Sequence, residues 1–459
     1  MAKKMKSINP YSGETIAEYP EMDNDTISKI LEQAGETYKV YRNTSFGDRS
    51  AKMFKVAELL RSNVEELANL MTAEMGKLLS ESRAEVKKCA WVCEYYAENA
   101  EEFLSNRTIE TDAEKSYVKY EPIGTILAVM PWNFPFWQVF RFAAPTVMAG
   151  NTALLKHASN VQGCAEKIEE LFLKAGFEKG VFQNLAIGSS KVAGIIENPV
   201  VKAVTLTGSE GAGAAVAETA GKRIKKSVLE LGGSNAFVVL ADSNLKNAVD
   251  VALTARLQNG GQSCIAAKRF IVEEAVYDEF MEELKKRVEE YVVGNPKDED
   301  IDIGPMSSVS QAETVEEQVV ESKKQGAEII SGGKRDKAFF EPTILTGVKP
   351  GMAAFDEEVF GPVFAVSPPV ESPEEALELA NNSTFGLGIN VFTGSEKNAQ
   401  LFIDNASEGA VFINAMVKSD PRLPFGGVKR SGYGRELSSE GIREFVNVKT
   451  VYVEEFKGL

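Results

Sequence analysis

The sequence predicts an α/β protein with two parallel-sheet domains and a small β arm. At 459 residues, the chain is too long for one ordinary core and should form two or three domains. Short apolar runs of strand length alternate with helical segments along most of the chain, as in βαβ units that build a parallel sheet. Two stretches of alternating polarity, at 106–122 and at the C-terminus, fall outside this rhythm.

The first domain is predicted to comprise residues 1–105 and 123–232. Between about residues 25 and 105, apolar side chains recur at spacings of three and four, which predicts helices. Strand-length apolar runs then alternate with helical segments; these runs are "GTILAVM", "TALLK", "FQNLAIG" and "VKAVTLTG". The glycines of "ELGGSN" mark the end of this domain.

The second domain is predicted to comprise residues 233–437, where the alternation resumes through "KRFIVEE", "EEVFGPVFAV", "FGLGINVFTG" and "EGAVFIN". Since no long linker separates the halves, we expect a functional site in the cleft between them. Residues 106–122 alternate like a hairpin, and residues 438–459 contain a second alternating run. We predict that these two segments form an oligomerisation arm that pairs across subunits.

Charge and composition exclude several classes of function. The net charge of −16 argues against non-specific nucleic-acid binding, which needs a basic surface. An acidic exterior also repels anionic ligands, so an acidic substrate would require cations within its own pocket. The sequence has no apolar run long enough for a membrane span, and its start lacks the apolar segment of a secretory signal. We therefore expect a cytoplasmic protein with no membrane partner.

The four cysteines do not form a disulfide framework in a chain of this length. Cys89 and Cys93 share one face of a predicted helix, where core packing is the simpler interpretation. The only histidine is His157, and no second cysteine pair exists to complete a ligand set. We expect no metal site.

Three motifs each allow a structural and a functional interpretation. In "QNGGQSCIAAKR", Cys264 is either a reactive thiol in a tight loop or a small packing residue. Glu230 ends the strand before "LGGSN" and is either a solvated or capping carboxylate or a catalytic one. Asn133, in "MPWNFPFWQVFR", follows a strand at the edge where α/β sheets bind ligands. A fourth motif, "TLTGSEGAGAAV", leads from a strand through glycines into a helix, but its spacing is G-x-x-G-x-G rather than G-x-G-x-x-G.

Together these motifs resemble the aldehyde dehydrogenase superfamily. The resemblance is carried, in the family's order, by "PWNFP" (131–135), "ELGG" (230–233), "GQSC" (261–264), "EEVFGP" (357–362) and "PFGGVKRSGYGRE" (424–436). It extends from "INPYSGE" nearly to the C-terminus. It implies an aldehyde dehydrogenase-like fold with a Rossmann-like dinucleotide-binding domain, a catalytic domain, and a homodimer or homotetramer.

The resemblance assigns catalytic roles to three residues. Cys264 is similar to the nucleophile that adds to an aldehyde carbonyl, after which hydride passes to a nicotinamide and leaves a thioester. Asn133 and the backbone N–H of Cys264 resemble the oxyanion hole. Glu230 resembles the base that activates water for thioester hydrolysis. A remote alternative, a non-catalytic structural protein on this scaffold, is disfavoured because both nucleophile and base are present.

The resemblance also implies a dinucleotide site and favours NADP over NAD. Residues that match cofactor positions are Trp132, Lys156, Ser159, Thr207, Gly208, Ser209, Leu231, Glu358 and Phe360. In NAD-preferring members a glutamate, which repels a 2′-phosphate, stands where this chain has Ser159. A serine can donate to that phosphate, and Lys156 adds positive charge, although NAD remains possible.

The substrate positions resemble those of the succinate-semialdehyde dehydrogenases. Arg141 and Ser419 match two residues that hold the distal carboxylate of the substrate, although Arg141 could instead form an ordinary salt bridge. Those enzymes have a further arginine where this chain has Gln258, and Arg256, Lys418 and Arg422 are candidates to compensate. Glutarate semialdehyde, or a broader range of aldehydes, is the alternative.

Overall fold

The structure is a computed structural model that describes residues 4–455. Residues 1–3 of the predicted first domain and residues 456–459 of the predicted arm lie outside the described residues. The strands are β1 (Lys4–Ile8), β2 (Thr15–Pro20), β3 (Arg107–Thr108), β4 (Lys115–Pro122), β5 (Thr125–Val129), β6 (Thr152–Lys156), β7 (Phe182–Asn184), β8 (Val201–Thr207), β9 (Lys226–Glu230), β10 (Asn235–Val239), β11 (Ala267–Val272), β12 (Glu328–Ser331), β13 (Arg335–Asp336), β14 (Phe339–Phe340), β15 (Thr343–Thr346), β16 (Val363–Val366), β17 (Ile389–Phe392), β18 (Val411–Ile413), β19 (Gly432–Tyr433) and β20 (Val446–Val453).

The helices cover the two large sheets. They are α1 (Asn24–Tyr41), α2 (Phe46–Ser62), α3 (Val64–Met75), α4 (Leu79–Phe103), α5 (Trp137–Met148), α6 (Gln162–Lys174), α7 (Val192–Glu197), α8 (Glu210–Lys222), α9 (Leu245–Leu257), α10 (Glu274–Glu289), α11 (Val309–Lys324), α12 (Ala353–Asp356), α13 (Pro373–Asn381), α14 (Glu396–Asn405) and α15 (Ser438–Arg443). Within residues 4–455, none of them has both the length and the apolar character needed to cross a bilayer.

Two mostly parallel sheets form the centre of the molecule, which confirms the predicted α/β class. The first has the order β19-β9-β8-β5-β6-β7, and only β19 is antiparallel to its neighbour. The second has the order β12-β15-β16-β11-β10-β17-β18, with β12 antiparallel. The chain returns to the first sheet at β19, which lies inside the segment predicted as the second domain.

A third, antiparallel sheet joins the two segments predicted as the arm. Its order is β20-β4-β3, and β20 pairs with β4 from Val446 opposite Pro122 to Val453 opposite Lys115. The sequence-based expectation that the tail pairs with another subunit is therefore replaced by pairing within the same chain. The two segments nevertheless form one sheet, as their alternating polarity predicts.

Helix α5 carries the predicted site residue Arg141 and is held by a buried carboxylate from α4. Glu85 accepts hydrogen bonds from the backbone N–H groups of Phe136 and Trp137, both at 2.9 Å. It also forms a buried ion pair with Lys77. The carboxylate thereby satisfies unpaired N–H groups at the start of α5 and complements its dipole. All twelve residues of α5 are buried, so the helix is fixed relative to the first sheet.

Candidate active site

Cys264 lies between two cavities and lines both of them. One cavity, of about 310 Å³, is here called the Arg141 cavity; the other, of about 290 Å³, is called the Trp132 cavity. The Arg141 cavity is lined by Glu81, Ala84, Glu85, Lys88, Phe134, Trp137, Gln138, Arg141, Gln258, Ser263, Cys264, Ile265, Met416, Lys418, Ser419 and Phe425. The Trp132 cavity is lined by Pro131, Trp132, Asn133, Gln138, Thr207, Gly208, Ser209, Glu230, Leu231, Gly232, Cys264, Gln311, Thr314, Glu358 and Phe360. Cys264 and Gln138 are the two residues that line both cavities.

A sharply turned loop before β11 presents this thiol. Asn259 and Gly260 have φ of 57° and 60°, in the left-handed region that asparagine and glycine tolerate best. The backbone N–H of Asn259 donates to Glu81 at 2.8 Å, and its side chain donates to the Asn133 carbonyl at 2.8 Å. At Gly261, an added Cβ would lie 2.3 Å from the Gly361 carbonyl oxygen, so a side chain cannot be accommodated.

Asn133 connects this loop to the end of β5. Its Nδ2 donates to the Gln262 carbonyl at 3.0 Å, and its Oδ1 accepts from Gln138 at 3.0 Å. These two contacts define the orientation of the amide group. A primary amide has two N–H donors, and Gln262 is the only partner of Nδ2 among residues 4–455, so one donor remains for a ligand.

The Cys264 thiol is largely protonated at neutral pH in the free protein. Burial raises its pKa to about 11, and the nearby positive charge of Arg141 opposes this shift. Lys268 holds the backbone of the loop by donating to the carbonyls of Ser263 and Cys264 at 2.8 and 2.9 Å. Formation of the thiolate therefore requires a base or a change in the surroundings when ligands bind.

Glu230 ends β9 and faces the Trp132 cavity. The residue is only 2% exposed, and neither carboxylate oxygen has a hydrogen-bond partner among the described residues. Burial, followed by repulsion from Glu436, raises its pKa well above the usual range. A buried, unpartnered carboxyl group facing a cavity is suited to exchanging a proton with a bound water.

The Trp132 cavity contains most of the predicted cofactor residues. Trp132 and Phe360 pack edge to face, with ring centroids 5.8 Å apart. Glu358 accepts from the Gly233 N–H at 3.0 Å and pairs with Lys268 at 3.2 Å. Ser209 caps α8 and lines the cavity, so the N-terminus of that helix lies at the cavity and favours an anion there. This combination of aromatic side chains, a carboxylate and a helix N-terminus suits the binding of a dinucleotide.

Two further predicted cofactor residues, Lys156 and Ser159, lie outside this cavity at the carboxyl end of β6. Lys156 pairs with the last residue of β5, so it lies at the same sheet edge as Thr207 on β8. No carboxylate among residues 4–455 is within salt-bridge distance of Lys156, and burial lowers its pKa. Ser159 is exposed. A lysine without an ionic partner, next to an exposed hydroxyl, fits a phosphate group.

Arg141 and Ser419 line the Arg141 cavity, but Arg141 is already paired. Its guanidinium forms a buried ion pair with Glu436 and lies 4.5 Å from the centre of the Phe425 ring. The Ser419 hydroxyl accepts from Lys88 at 2.8 Å. Both predicted substrate residues thus share one cavity with Cys264.

Of the three cations expected to compensate for Gln258, only Lys418 lines the cavity. Arg256 is buried elsewhere and donates to the carbonyls of Ala267 and Val359, each at 2.9 Å. Arg422 points largely into solvent and pairs with Asp420 at 2.7 Å.

Sequence reasoning did not identify four residues that shape the site: Lys88, Gln138, Gln262 and Glu436. Gln262 and Glu436 lie within motifs that carry the family resemblance, so each could have been assigned a role from its motif. Lys88 and Gln138 give no such signal, because each contacts the site only through packing of α4 and α5. Cys89 and Cys93, on the same helix as Lys88, are buried in the core.

Comparison with known proteins identifies the family. The sequence profile of the aldehyde dehydrogenase family matches residues 1–451, and the chain belongs to that family. It is 48% identical over 450 residues to a probable succinate-semialdehyde dehydrogenase [NADP(+)] from Synechocystis sp., covering 97% of this chain and 99% of the relative. It is 47% identical over 453 residues to succinate-semialdehyde dehydrogenase [NADP(+)] 1 from Mycobacterium tuberculosis, with the same coverage.

A solved structure shares the whole fold. It is a succinic semialdehyde dehydrogenase from Streptococcus pyogenes in complex with NADP+, with a TM-score of 0.96 and 40% sequence identity. The alignment covers 98% of this chain and 100% of that one. The aldehyde dehydrogenase-like fold predicted from the motifs is confirmed.

The raised pKa of Cys264 leads to a prediction for the free protein. Alkylation of Cys264 by iodoacetamide should accelerate about tenfold per pH unit between pH 7 and 9, since the thiolate fraction rises in that proportion below a pKa of about 11. Peptide mass spectrometry over time measures this rate. The three fully buried cysteines are internal controls and should stay unmodified while the protein is folded. A rate that levels off below pH 8 would contradict the prediction.

Proposed function

We propose that this protein oxidises succinate semialdehyde to succinate with NADP+ as the acceptor. The observation that carries the proposal is the position of Cys264 between two cavities of different chemistry. The Trp132 cavity has residues that fit a dinucleotide, and the Arg141 cavity combines apolar walls with Arg141, Lys88 and Lys418. The relatives named as NADP-dependent succinate-semialdehyde dehydrogenases support the same substrate and cofactor.

The first chemical step is addition of the Cys264 thiolate to the aldehyde carbonyl, which forms a thiohemiacetal. The free N–H of Asn133 and the backbone N–H of Cys264 stabilise the alkoxide that develops on oxygen. Bound NADP+ supplies the acceptor for the hydride that leaves the thiohemiacetal carbon. The acyl group then remains on sulfur as a thioester.

Hydrolysis of the thioester depends on Glu230. Its carboxylate removes a proton from water, the resulting hydroxide adds to the thioester carbonyl, and the C–S bond breaks to release the acid and the Cys264 thiolate. Because burial and Glu436 raise the pKa of Glu230, its basic form becomes more abundant as pH rises. The raised pKa also means that Glu230, once it has taken the proton from water, is stable in its protonated form within the buried site.

The 2′-phosphate of NADP+ is proposed to lie against Lys156 and Ser159 at the end of β6. The ammonium group of Lys156 offers a positive charge without an ionic partner among residues 4–455. The Ser159 hydroxyl adds a hydrogen-bond donor, and a serine at this position, unlike a glutamate, carries no negative charge to repel the phosphate. The other cofactor residues of the proposal are those predicted from the sequence that line the Trp132 cavity.

The distal carboxylate of the substrate is proposed to lie in the Arg141 cavity, in contact with Arg141 and Ser419. Arg141 shares its charge with Glu436, so it serves the substrate mainly as a hydrogen-bond donor.

Assembly, domain roles and location complete the proposal. Residues 1–105 and 123–232 bind the dinucleotide, residues 233–437 carry the catalytic thiol, and the protein acts as a homodimer or homotetramer in the cytoplasm. The exposed apolar side chains of Val448 and Tyr452 on β20 support a subunit contact through the arm. The four cysteines are free thiols, as suits a reducing compartment.

Removing the base should separate acylation from hydrolysis. In Glu230→Gln, we expect a burst of about one NADPH per site followed by a steady rate at least ~100-fold below wild type, since general base catalysis contributes about that much. Stopped-flow absorbance of NADPH measures both phases. Cys264→Ala is the control and should show no burst, because no acyl-enzyme forms. Equal burst and steady rates in Glu230→Gln would contradict the assigned role.

A negative charge beside the phosphate site should weaken the preference for NADP+. In Ser159→Glu, the ratio of kcat/KM for NADP+ to that for NAD+ should fall about tenfold or more through like-charge repulsion. Initial rates with each cofactor at saturating aldehyde measure this ratio. Ser62→Glu places the same charge at an exposed position on α2 and should leave the ratio unchanged. An unaltered ratio in Ser159→Glu would refute the assignment.

The substrate is tested by comparing succinate semialdehyde with butanal, which has the same chain length but no carboxylate. Wild type should prefer succinate semialdehyde in kcat/KM. In Arg141→Ala, that substrate should lose about 1.5–3 kcal/mol more transition-state binding than butanal, as for a hydrogen bond to a charged group. Both aldehydes react with the same thiol and base, so any effect of the unpaired Glu436 on Glu230 or Cys264 cancels in this comparison. A wild type that prefers butanal would overturn the substrate assignment.

A further inference from the structure

We infer that Lys88 is a specificity-determining residue: together with Ser419, it forms the subsite for the distal carboxylate and supplies the positive charge that Gln258 cannot. This inference rests on the proposed function and adds a residue to it.

The position of Lys88 suits this role. It projects from α4 into the Arg141 cavity, where its Nζ donates to the Ser419 hydroxyl at 2.8 Å and lies 4.2 Å from the centre of the Trp137 ring. An ammonium group has three N–H donors, and Ser419 accepts only one of them. The indole face stabilises the cation without using a donor. Donors therefore remain for an acceptor that enters the cavity.

The charge of Lys88 is not matched within the protein. Burial lowers the pKa of Lys88, and the carboxylates that oppose this lowering are Glu85 and Asp420. Glu85 is already engaged by Lys77 and by the start of α5, and Asp420 is held by Arg422 at 2.7 Å. No carboxylate among residues 4–455 lies within salt-bridge distance of Lys88.

The charge of Arg141, unlike that of Lys88, is paired with a carboxylate, that of Glu436. Of the two groups, Lys88 therefore provides the cavity with unmatched positive charge. A carboxylate bound there would complete an ion pair in a partly buried site, where such pairs are strongest.

The rest of the cavity suits an apolar chain in the ligand. Cys264 lines the same cavity as Lys88, and the other lining residues include the apolar side chains of Phe134, Trp137 and Ile265. A ligand with its aldehyde carbon at the thiol and its carboxylate at Lys88 would place its apolar chain among these side chains. A carboxylate-bearing aldehyde such as succinate semialdehyde has this chemistry, whereas butanal leaves the ammonium group unpaired.

The titration of Lys88 predicts how the preference for succinate semialdehyde over butanal depends on pH. Burial, with a smaller contribution from Arg141, lowers its pKa to about 8. In the free enzyme the ammonium form is therefore lost as pH rises from 7 to 9, and the advantage of succinate semialdehyde over butanal in kcat/KM should decline over that range. Cys264 and Glu230 act on both aldehydes, so their effects cancel in the ratio. Glu81 and Lys418, which line the same cavity, and Glu436, which pairs with Arg141, keep their effects in the Lys88 variants, so the pH dependence that those variants lose belongs to Lys88.

The experiment measures kcat/KM for both aldehydes in wild type, Lys88→Met, Lys88→Gln and Lys88→Arg. In the two neutral variants, we expect the ratio of succinate semialdehyde to butanal to fall about tenfold or more and to lose its decline between pH 7 and 9. The arginine variant should recover most of the ratio. Lys87→Met, at the exposed neighbouring position on α4, is the matched control and should keep both the ratio and its pH dependence.

Succinate inhibition provides a test that does not use the natural substrate. Succinate should inhibit butanal oxidation competitively, with an inhibition constant about tenfold or more higher in Lys88→Met than in wild type. NADP+ binding and the thermal unfolding midpoint show whether each variant is folded. If Lys88→Met does not fold, Lys88→Gln and Lys88→Arg decide the question.

The possible outcomes distinguish this inference from the proposed function. If wild type prefers butanal, the substrate assignment fails. If wild type prefers succinate semialdehyde but Lys88→Met and Lys88→Gln keep its ratio, the role of Lys88 fails while the proposed function stands. A loss of the ratio in Lys418→Met, with no loss in the Lys88 variants, would assign the carboxylate to Lys418 instead.

Discussion

The hydrogen bonds of Asn133 connect the two halves of the catalytic centre. This residue follows β5 of the first sheet, and its amide donates to the loop that precedes β11 of the second sheet. The same loop returns a hydrogen bond from the Asn259 side chain to the Asn133 carbonyl. The contact that fixes the loop thus also leaves one N–H of Asn133 free in the cavity that Asn133 and Cys264 both line. Loop position and electrostatic preorganisation have a single structural origin.

Around that contact, the protein buries several ionisable groups whose desolvation is only partly compensated. Glu230 has no hydrogen-bond partner among the described residues. Glu436 forms an ion pair with Arg141 and also repels the negative charge of Glu230. Replacing such groups by packed apolar residues would commonly increase stability. The site therefore retains groups that are unfavourable for folding but useful in proton transfer and anion binding, as expected where function and stability compete.

The fold class and the main site residues could be predicted from the sequence, because both predictions depend on local signals. Period and strand length indicated the parallel sheets, and the motifs that contain Cys264, Glu230 and Asn133 all lie at strand ends or tight turns. The pairing of β20 with β4 inside one chain was not predicted, since alternating polarity defines a strand but not its partner. Lys88 was missed for a similar reason: only the packing of α4 against α5 brings it to Ser419.

The return of the C-terminal segment to the first sheet has a consequence for biosynthesis. β19 covers the edge of β9, with Gly432 opposite Glu230, and β20 covers β4. Tyr96 and Asn151 also donate hydrogen bonds to carbonyls of Ser438 and Phe445, at 2.9 Å each. During vectorial synthesis, β9 and β4 therefore lack these neighbours until β19 and β20 have been made, after the whole of the second sheet. In that interval the nascent protein carries open β edges, which makes chaperone protection most valuable before β19 and β20 emerge.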